Sequence, residues 1–211
     1  MKLKNTEMLD SCTHLLFVFV FALSITVASV CEAFAAADNV RDECLRLHIL
    51  ANSDSEADQS IKLIVRDEVL KYTADMLSDC ADSTEASSEV LSHKEEIIDI
   101  VEKTLENNGF SYGADLYIED EFFETRQYED IKLPAGVYKA CKIILGKGEG
   151  HNWWCVMFPQ LCLPVASEKN SDSDFAVFGE NGTELIKQKS GYKIRFRIVE
   201  IAEEILNRIR E

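Results

Sequence analysis

GEGHNWWCVMFPQLC, Gly148 to Cys162, gathers the residue types best able to do chemistry: His151, Trp153, Trp154, Cys155 and Cys162. A thiol becomes a nucleophile when a nearby base favours its thiolate. Cys155 has His151 four residues before it and His48 as a more distant candidate. Enzyme Cys–His pairs usually meet through the fold, so this adjacency speaks only weakly for a thiol hydrolase. Zinc takes four nitrogen or sulfur ligands, most often from tight C-x-x-C pairs. His151, Cys155 and Cys162 supply three at loose spacing, with Cys44, Cys80 or Cys141 as a fourth, and no C-x-x-C occurs. No metal and no cofactor is therefore assigned. A disulfide between Cys155 and Cys162 is a third use of the same residues, with Pro159 turning the chain between them; the separation of the two Cα atoms decides it. The tryptophans offer a fourth. Adjacent strand residues point to opposite faces, so one indole can enter the core while the other stays near the surface as an anchor for a partner. The plain alternative is that both are core residues, one under each face.

The surroundings narrow these options. The chain has 211 residues, 46% of them hydrophobic, which suits one folded domain with its own core. Its net charge of −16 argues against binding nucleic acid or anionic lipid by bulk attraction. At the N-terminus, Lys2 and Lys4 precede the apolar run LLFVFVFALSITVASV (Leu15–Val30) and the small-residue stretch AFAAAD. Basic, apolar, small is the order of a secretory signal, with cleavage after Ala35 or Ala37. Left uncut, the same run would be a membrane anchor. We divide the chain into a signal or membrane segment, residues 1–37, and one extracytoplasmic domain, residues 38–211. Five cysteines fall in that domain, an odd number, so at least one must stay unpaired or bond another chain.

The elements that must position the chemistry can be sketched from periodicity. LRLHIL alternates as a strand. A helix follows from about Asp54 to Leu77, with Ser53 and Glu56 as a capping box and Asp54 or Ser55 as other caps. It carries two apolar stripes: Ala57, Ile61, Ile64, Val65, Val69, Tyr72 and Met76 on one side, Leu63, Leu70 and Leu77 on the other, which predicts a helix sandwiched within the domain. Ser78–Ser88 reads as a loop, and Glu89–Asn107 as a second helix stopped by Asn108-Gly109. Ala114–Phe122 is a strand, ETRQYEDIKLPAG a polar connection, Val137–Gly146 a buried strand, and Val156–Phe158 continues the sheet. SEKNSDSDF is a solvated loop. The C-terminal segment is an amphipathic helix with an isoleucine-rich stripe: Ile194, Ile198, Ile201, Ala202, Ile205 and Ile209. Lys187, Lys189, Lys193, Arg195 and Arg197 cluster near its start and read as a solvated face. The expected class is α+β: a small mixed or antiparallel sheet, two long helices after the first strand, and the C-terminal amphipathic helix.

Two stretches carry a resemblance. LRLHILANSDSEADQSIKLIVRDEVL, Leu45 to Leu70, looks like the opening motif of the stage II sporulation protein R family, and GEGHNWWCVMFPQLC resembles its other signature. The resemblance implies an exported signalling protein of endospore formation in Gram-positive bacteria. It would be made in the forespore and sent into the space between forespore and mother-cell membranes. There it would activate a membrane-embedded aspartic protease of the mother-cell membrane that processes pro-sigma-E. On this reading the chain is not an enzyme, binds no nucleic acid, and touches membrane only through an uncleaved N-terminal segment. The positions within the matching motifs are His48, Asn52, Asp54, Arg66 and Asp67 from the first, and His151, Asn152, Trp153 and Trp154 from the second. Some of them are expected to form one surface, with the strand–helix junction and the HNWW turn at the same edge of the sheet. The alternative function is an exported Cys/His-dependent hydrolase acting on cell-wall material.

Overall fold

The computed structural model describes residues 2–128, 131–161, 172–187 and 192–210. The chain opens with one long helix, α1 (Lys2–Asp42), whose Leu15–Val27 stretch is apolar and exposed. It is the helix, among the described residues, that is long and apolar enough to cross a membrane. Two residues later β1 (Leu45–Leu50) begins. Then come α2 (Glu56–Leu77), α3 (Ser83–Ser92), α4 (Lys94–Asn107), β2 (Ala114–Phe123), β3 (Arg126–Tyr128), β4 (Ile131–Leu133), β5 (Gly136–Leu145) and β6 (Asn152–Phe158). A 3₁₀ turn (Asp172–Phe178), α5 (Gly179–Ile186) and α6 (Tyr192–Arg210) complete the chain.

Four strands form a mixed sheet in the order β2-β5-β1-β6. β1 lies parallel to β5 and antiparallel to β6, and β2 lies antiparallel to β5. The α+β class with a mixed sheet is thus the one expected. Helices α2, α3 and α4 cover one face, packing Ile61, Val65, Val69, Val90, Ile97 and Val101 against Leu47, Ile49, Ile143 and Cys155. The other face meets the β3–β4 hairpin, Phe175, Phe178 and Val40, which close over Tyr138, Ala140 and Val156. Because the sheet is covered on both sides, β1 is buried along nearly its whole length, Arg46 and His48 included. The alternation of LRLHIL does mark a strand, but its polar members are not solvated. Instead, Arg46 stands over the rings of Phe123 and Tyr138 at 4.3 and 5.0 Å and donates to Tyr128 Oη at 2.7 Å and the Cys155 carbonyl at 3.0 Å. Rings and acceptors replace much of the water that this cation loses, while its Nη1 has no hydrogen-bond partner among the described residues.

Three local expectations need correction. Ser83–Ser88 is helix, not loop: Asp82 caps it by accepting from the Glu85 amide, while the Glu85 carboxylate accepts from the Ala81 amide. The single helix expected over Glu89–Asn107 is two, broken at His93. The polar connection contains the β3–β4 hairpin, which was too short for its alternation to register. In α2 the true cap is Ser55, whose Oγ accepts from the Asp58 amide. That helix buries Ile61, Val65, Val69, Leu70 and Leu77 and leaves Ile64 outside. The C-terminal helix is present as α6, but it docks through Phe196, Val199 and Glu200; Ile198, Ile201, Ile205 and Ile209 lie on its outer side.

Candidate functional site

The site is built where β1 hands over to α2. Beyond Leu50 the chain must leave the sheet, cross to the helix layer and start a helix within five residues. Asp58, in the first turn of α2 and only 5% exposed, organises that passage. Its carboxylate accepts from Asn52 Nδ2 at 3.0 Å, from Ser53 Oγ, and from Tyr112 Oη at 2.6 Å. Burial alone would raise the Asp58 carboxyl, but hydrogen bonds from Ser53, Tyr112, Asn52 and Ser55 outweigh it and hold it below the ordinary carboxylate value. The Tyr112 hydroxyl is driven the other way, first by burial and then by donating to that carboxylate.

The Asn52–Ser55 loop is zipped to the glycine-rich turn that leads into β6. Gly150 N donates to the Ala51 carbonyl at 2.9 Å, and Lys147 N to Asn52 Oδ1 at 3.0 Å. A side chain at Gly150 would collide with the Ser53 carbonyl, since a Cβ there would stand 2.2 Å from it. The glycine serves close backbone approach, not flexibility.

This zipper fixes His151. Its backbone N–H donates to Asp54 Oδ1 at 2.6 Å, and its ring Nδ1 meets the same oxygen. Its carbonyl accepts from Lys62 Nζ at 2.7 Å. Lys62 is 4% exposed and also donates to Gln59 Oε1 at 2.6 Å. Burial lowers the Lys62 ammonium below its usual value, with Asp54 partly opposing that shift. The Asp54 carboxyl is lowered by the His151 ring and then by the His151 amide. The imidazole itself remains 78% exposed. A buried lysine thus clamps the backbone of a residue whose side chain faces solvent.

Register carries the clamp into the sheet. Leu50 faces Asn152, Ile49 faces Trp153 and His48 faces Trp154. On one face, His48 joins Glu121 Oε2 through Nδ1 at 2.8 Å and Asn152 Oδ1 through Nε2 at 2.9 Å. Its ring stacks on Trp154 at 5.5 Å between centroids, and the Arg126 guanidinium lies 4.5 Å over Trp154. The Glu121 carboxyl, which burial would raise, is lowered by its bond to His48, by the charge of that ring and by Lys142. On the opposite face, Trp153 packs beside the α2–α4 core with Arg66 4.5 Å above it, and Arg66 is held by Asp67 at 2.6 Å. Both tryptophans are half-buried, one on each face, and each is capped by an arginine.

All nine motif residues therefore lie around one end of the β1–β6 pair. Asn52, Asp54, His151 and Asn152 sit at its tip, with His48 and Trp154 on one side and Trp153, Arg66 and Asp67 on the other. Sequence reading passed over Asp58, Lys62, Tyr112, Glu121 and Arg126. A signal for two of them existed: Asp58 and Lys62 share the helical face of Ile61 and Val65, where a charged residue must have a buried partner. Cys155 is buried in the core beneath α2, on the face of the sheet opposite His48, while His151 is engaged with Asp54 at the surface. Cys162, and with it the pairing with Cys155, lies outside the described residues, as does the SEKNSDSDF loop up to Ser171. No group of three or more His, Cys, Asp or Glu able to hold a metal occurs among the described residues.

Residues 41–168, the segment holding this whole arrangement, match the model of the family described as stage II sporulation protein R. The protein named Stage II sporulation protein R from Bacillus subtilis (strain 168) is 40% identical over 124 residues, 59% of this chain and 55% of that protein. The chain thus spans about half the length of that curated relative. No solved structure matches. With the family model covering most of the chain and both signature motifs folded into one site, the chain belongs to the stage II sporulation protein R family.

Proposed function

We propose that this protein is an exported signalling ligand of endospore formation, acting in the space between the forespore and mother-cell membranes. Its partner on this reading is a membrane-embedded aspartic protease of the mother-cell membrane, which then processes pro-sigma-E. The chain performs no bond-breaking itself. It binds the active arrangement of the protease more tightly than the inactive one, and that difference alone shifts the protease toward activity. The observation that supports this reading is the clamped His151. A lysine is buried, at a desolvation cost, to fix the backbone of one exposed imidazole. Such rigidity does nothing for a solvated turn but lowers the ordering cost of binding a partner. Trp153 and Trp154, each with an arginine over its ring, flank it with the residue types that dominate binding energies.

The test is reconstitution in a non-sporulating host, with the chain, the protease and its pro-sigma substrate expressed together. Processing is expected with the wild type and is expected to drop at least about tenfold with His151→Ala or Trp154→Ala, the loss of one modest contact of about 1.4 kcal/mol. Processing that proceeds equally without this chain would remove the reading.

A further inference from the structure

The small-residue stretch after the apolar run is part of the folded domain. Ala33, Ala37 and Val40 are 0% exposed and Ala36 is 5% exposed, while Ala35, Asp38 and Asn39 between them face solvent. That is the three-and-four spacing of one helix face, and it packs against α5 and α6 through Leu185, Phe196 and Val199. The approach is close. A Cβ on Gly182 would stand 3.2 Å from Val40 Cγ2. Arg41 fastens the same end to two further elements, donating to the Ala135 carbonyl at 3.0 Å before β5 and pairing with Glu203 of α6 at 3.2 Å. Gly136 leaves room for it, since a Cβ there would stand 2.4 Å from Arg41 Cδ. The helix end lies ahead of residue 41 and α5 and α6 lie beyond residue 168, so the two flanks outside the family match complete each other.

We propose that α1 is retained as a membrane anchor, its extracytoplasmic end a structural component of the domain, so that the protein works tethered to the membrane of the cell that makes it. A signal peptidase would have to cut after Ala35 or Ala37. Both bonds lie inside a continuous helix, flanked by side chains sealed into a core. Cleavage there requires local opening, and opening here unseats α5 and α6 together. Lys2 and Lys4 ahead of the span set the orientation, with the N-terminus in the cytoplasm and the domain outside. The recognition edge then stands at the end of β1 remote from α1, about 20 Å along the strand at roughly 3.3 Å per residue.

This inference does not depend on the signalling role, and its test does not measure signalling. The full chain with a C-terminal tag is expressed in a Gram-positive host, fractionated, and its intact mass determined. The expected result is a full-length product in the membrane fraction that resists an alkaline carbonate wash. A soluble product beginning at Ala36 or Asp38 overturns the proposal. Phe196→Asp, which places a charge in the seam, is expected to make the shortened form appear at several times the wild-type level. Ile205→Asp, the same change on the outer side of α6, is expected to leave the chain uncut. Equal cutting of both variants would show that the seam does not protect the bond.

Discussion

Lys62 separates holding the site from being the site. Its ammonium reaches the His151 carbonyl and Gln59, yet the side chain is buried and can touch no partner. Lys62→Met keeps the length and apolar stem and removes the clamp. Thermal stability is expected to change by no more than about 1 kcal/mol, because the freed carbonyl can turn to water. Processing in the reconstituted system is expected to fall about as far as with His151→Ala, since both changes spoil the presentation of one imidazole. A Lys62→Met protein that signals normally would mean that the clamp serves the fold alone. Cys155→Ser gives the opposite contrast. Burying a hydroxyl in place of the thiol is expected to cost about 1–3 kcal/mol, with signalling preserved per folded molecule. A loss of several orders of magnitude would instead point to a thiol enzyme.

At the scale of elements, α6 makes a prediction against its own sequence. Its most regular apolar stripe, Ile198, Ile201, Ile205 and Ile209, faces outward, and its buried contacts come from Phe196 and Val199 on the other side. Phe196→Ala is expected to cost about 3–5 kcal/mol by emptying the seam with α1, whereas Ile205→Ser should stay within about 0.5 kcal/mol. Denaturation of the two variants in detergent checks this, and similar losses would mean that the isoleucine face is packed. The stripe was legible in the sequence, but the side it would turn inward was not, because α6 has apolar residues on opposite faces and the partner that chooses between them is α1, some 150 residues away. The same limit explains β1. Its alternation identified a strand, but the burial of Arg46 and His48 depends on the hairpin and on Phe123, Glu121 and Tyr138, which arrive much later in the chain. Elements specified by their own residues, such as β2, β5 and α2, were readable; α3 was not, because serines that suit a loop also suit a helix once Asp82 caps it. The motif residues could be named from their pattern, whereas the carboxylate and the lysine that hold them, Asp58 and Lys62, showed only as charges on the buried face of α2, with partners that arrive from other elements.

For the whole molecule, the excess of acid groups sets how stability responds to pH. Three carboxylates join separate parts of the fold: Asp58 ties the site loop to α2 and Tyr112, Glu121 joins β2 to His48 of β1, and Glu200 joins α6 to Lys132 of β4. Burial would raise all three, but hydrogen bonds around Asp58, and hydrogen bonds together with cations around Glu121 and Glu200, hold each below its ordinary value. A carboxyl depressed in the folded state binds its proton more readily in the unfolded chain. Its contribution is therefore complete above the unfolded values of about 4 and is lost as the pH falls through the lower folded values. Glu43 works in the opposite sense, raised by burial and by Asp82 and Asp42, but it is one group against four, since the exposed Asp54 is lowered as well. The full chain in detergent, followed by tryptophan fluorescence, should keep a level melting temperature from pH 7 to about 5 and lose it steeply below about 4. Asp58→Asn is expected to lower the melting temperature at pH 7 and flatten the acid limb, because one of the groups that must be protonated is gone. The acid loss should reach the site early, because Asp58 braces its loop and Glu121 holds His48, so processing in the reconstituted system should fail at a higher pH than global unfolding. A wild type that melts at the same temperature at pH 3 and pH 7 would show that these buried carboxylates do not hold the layers together.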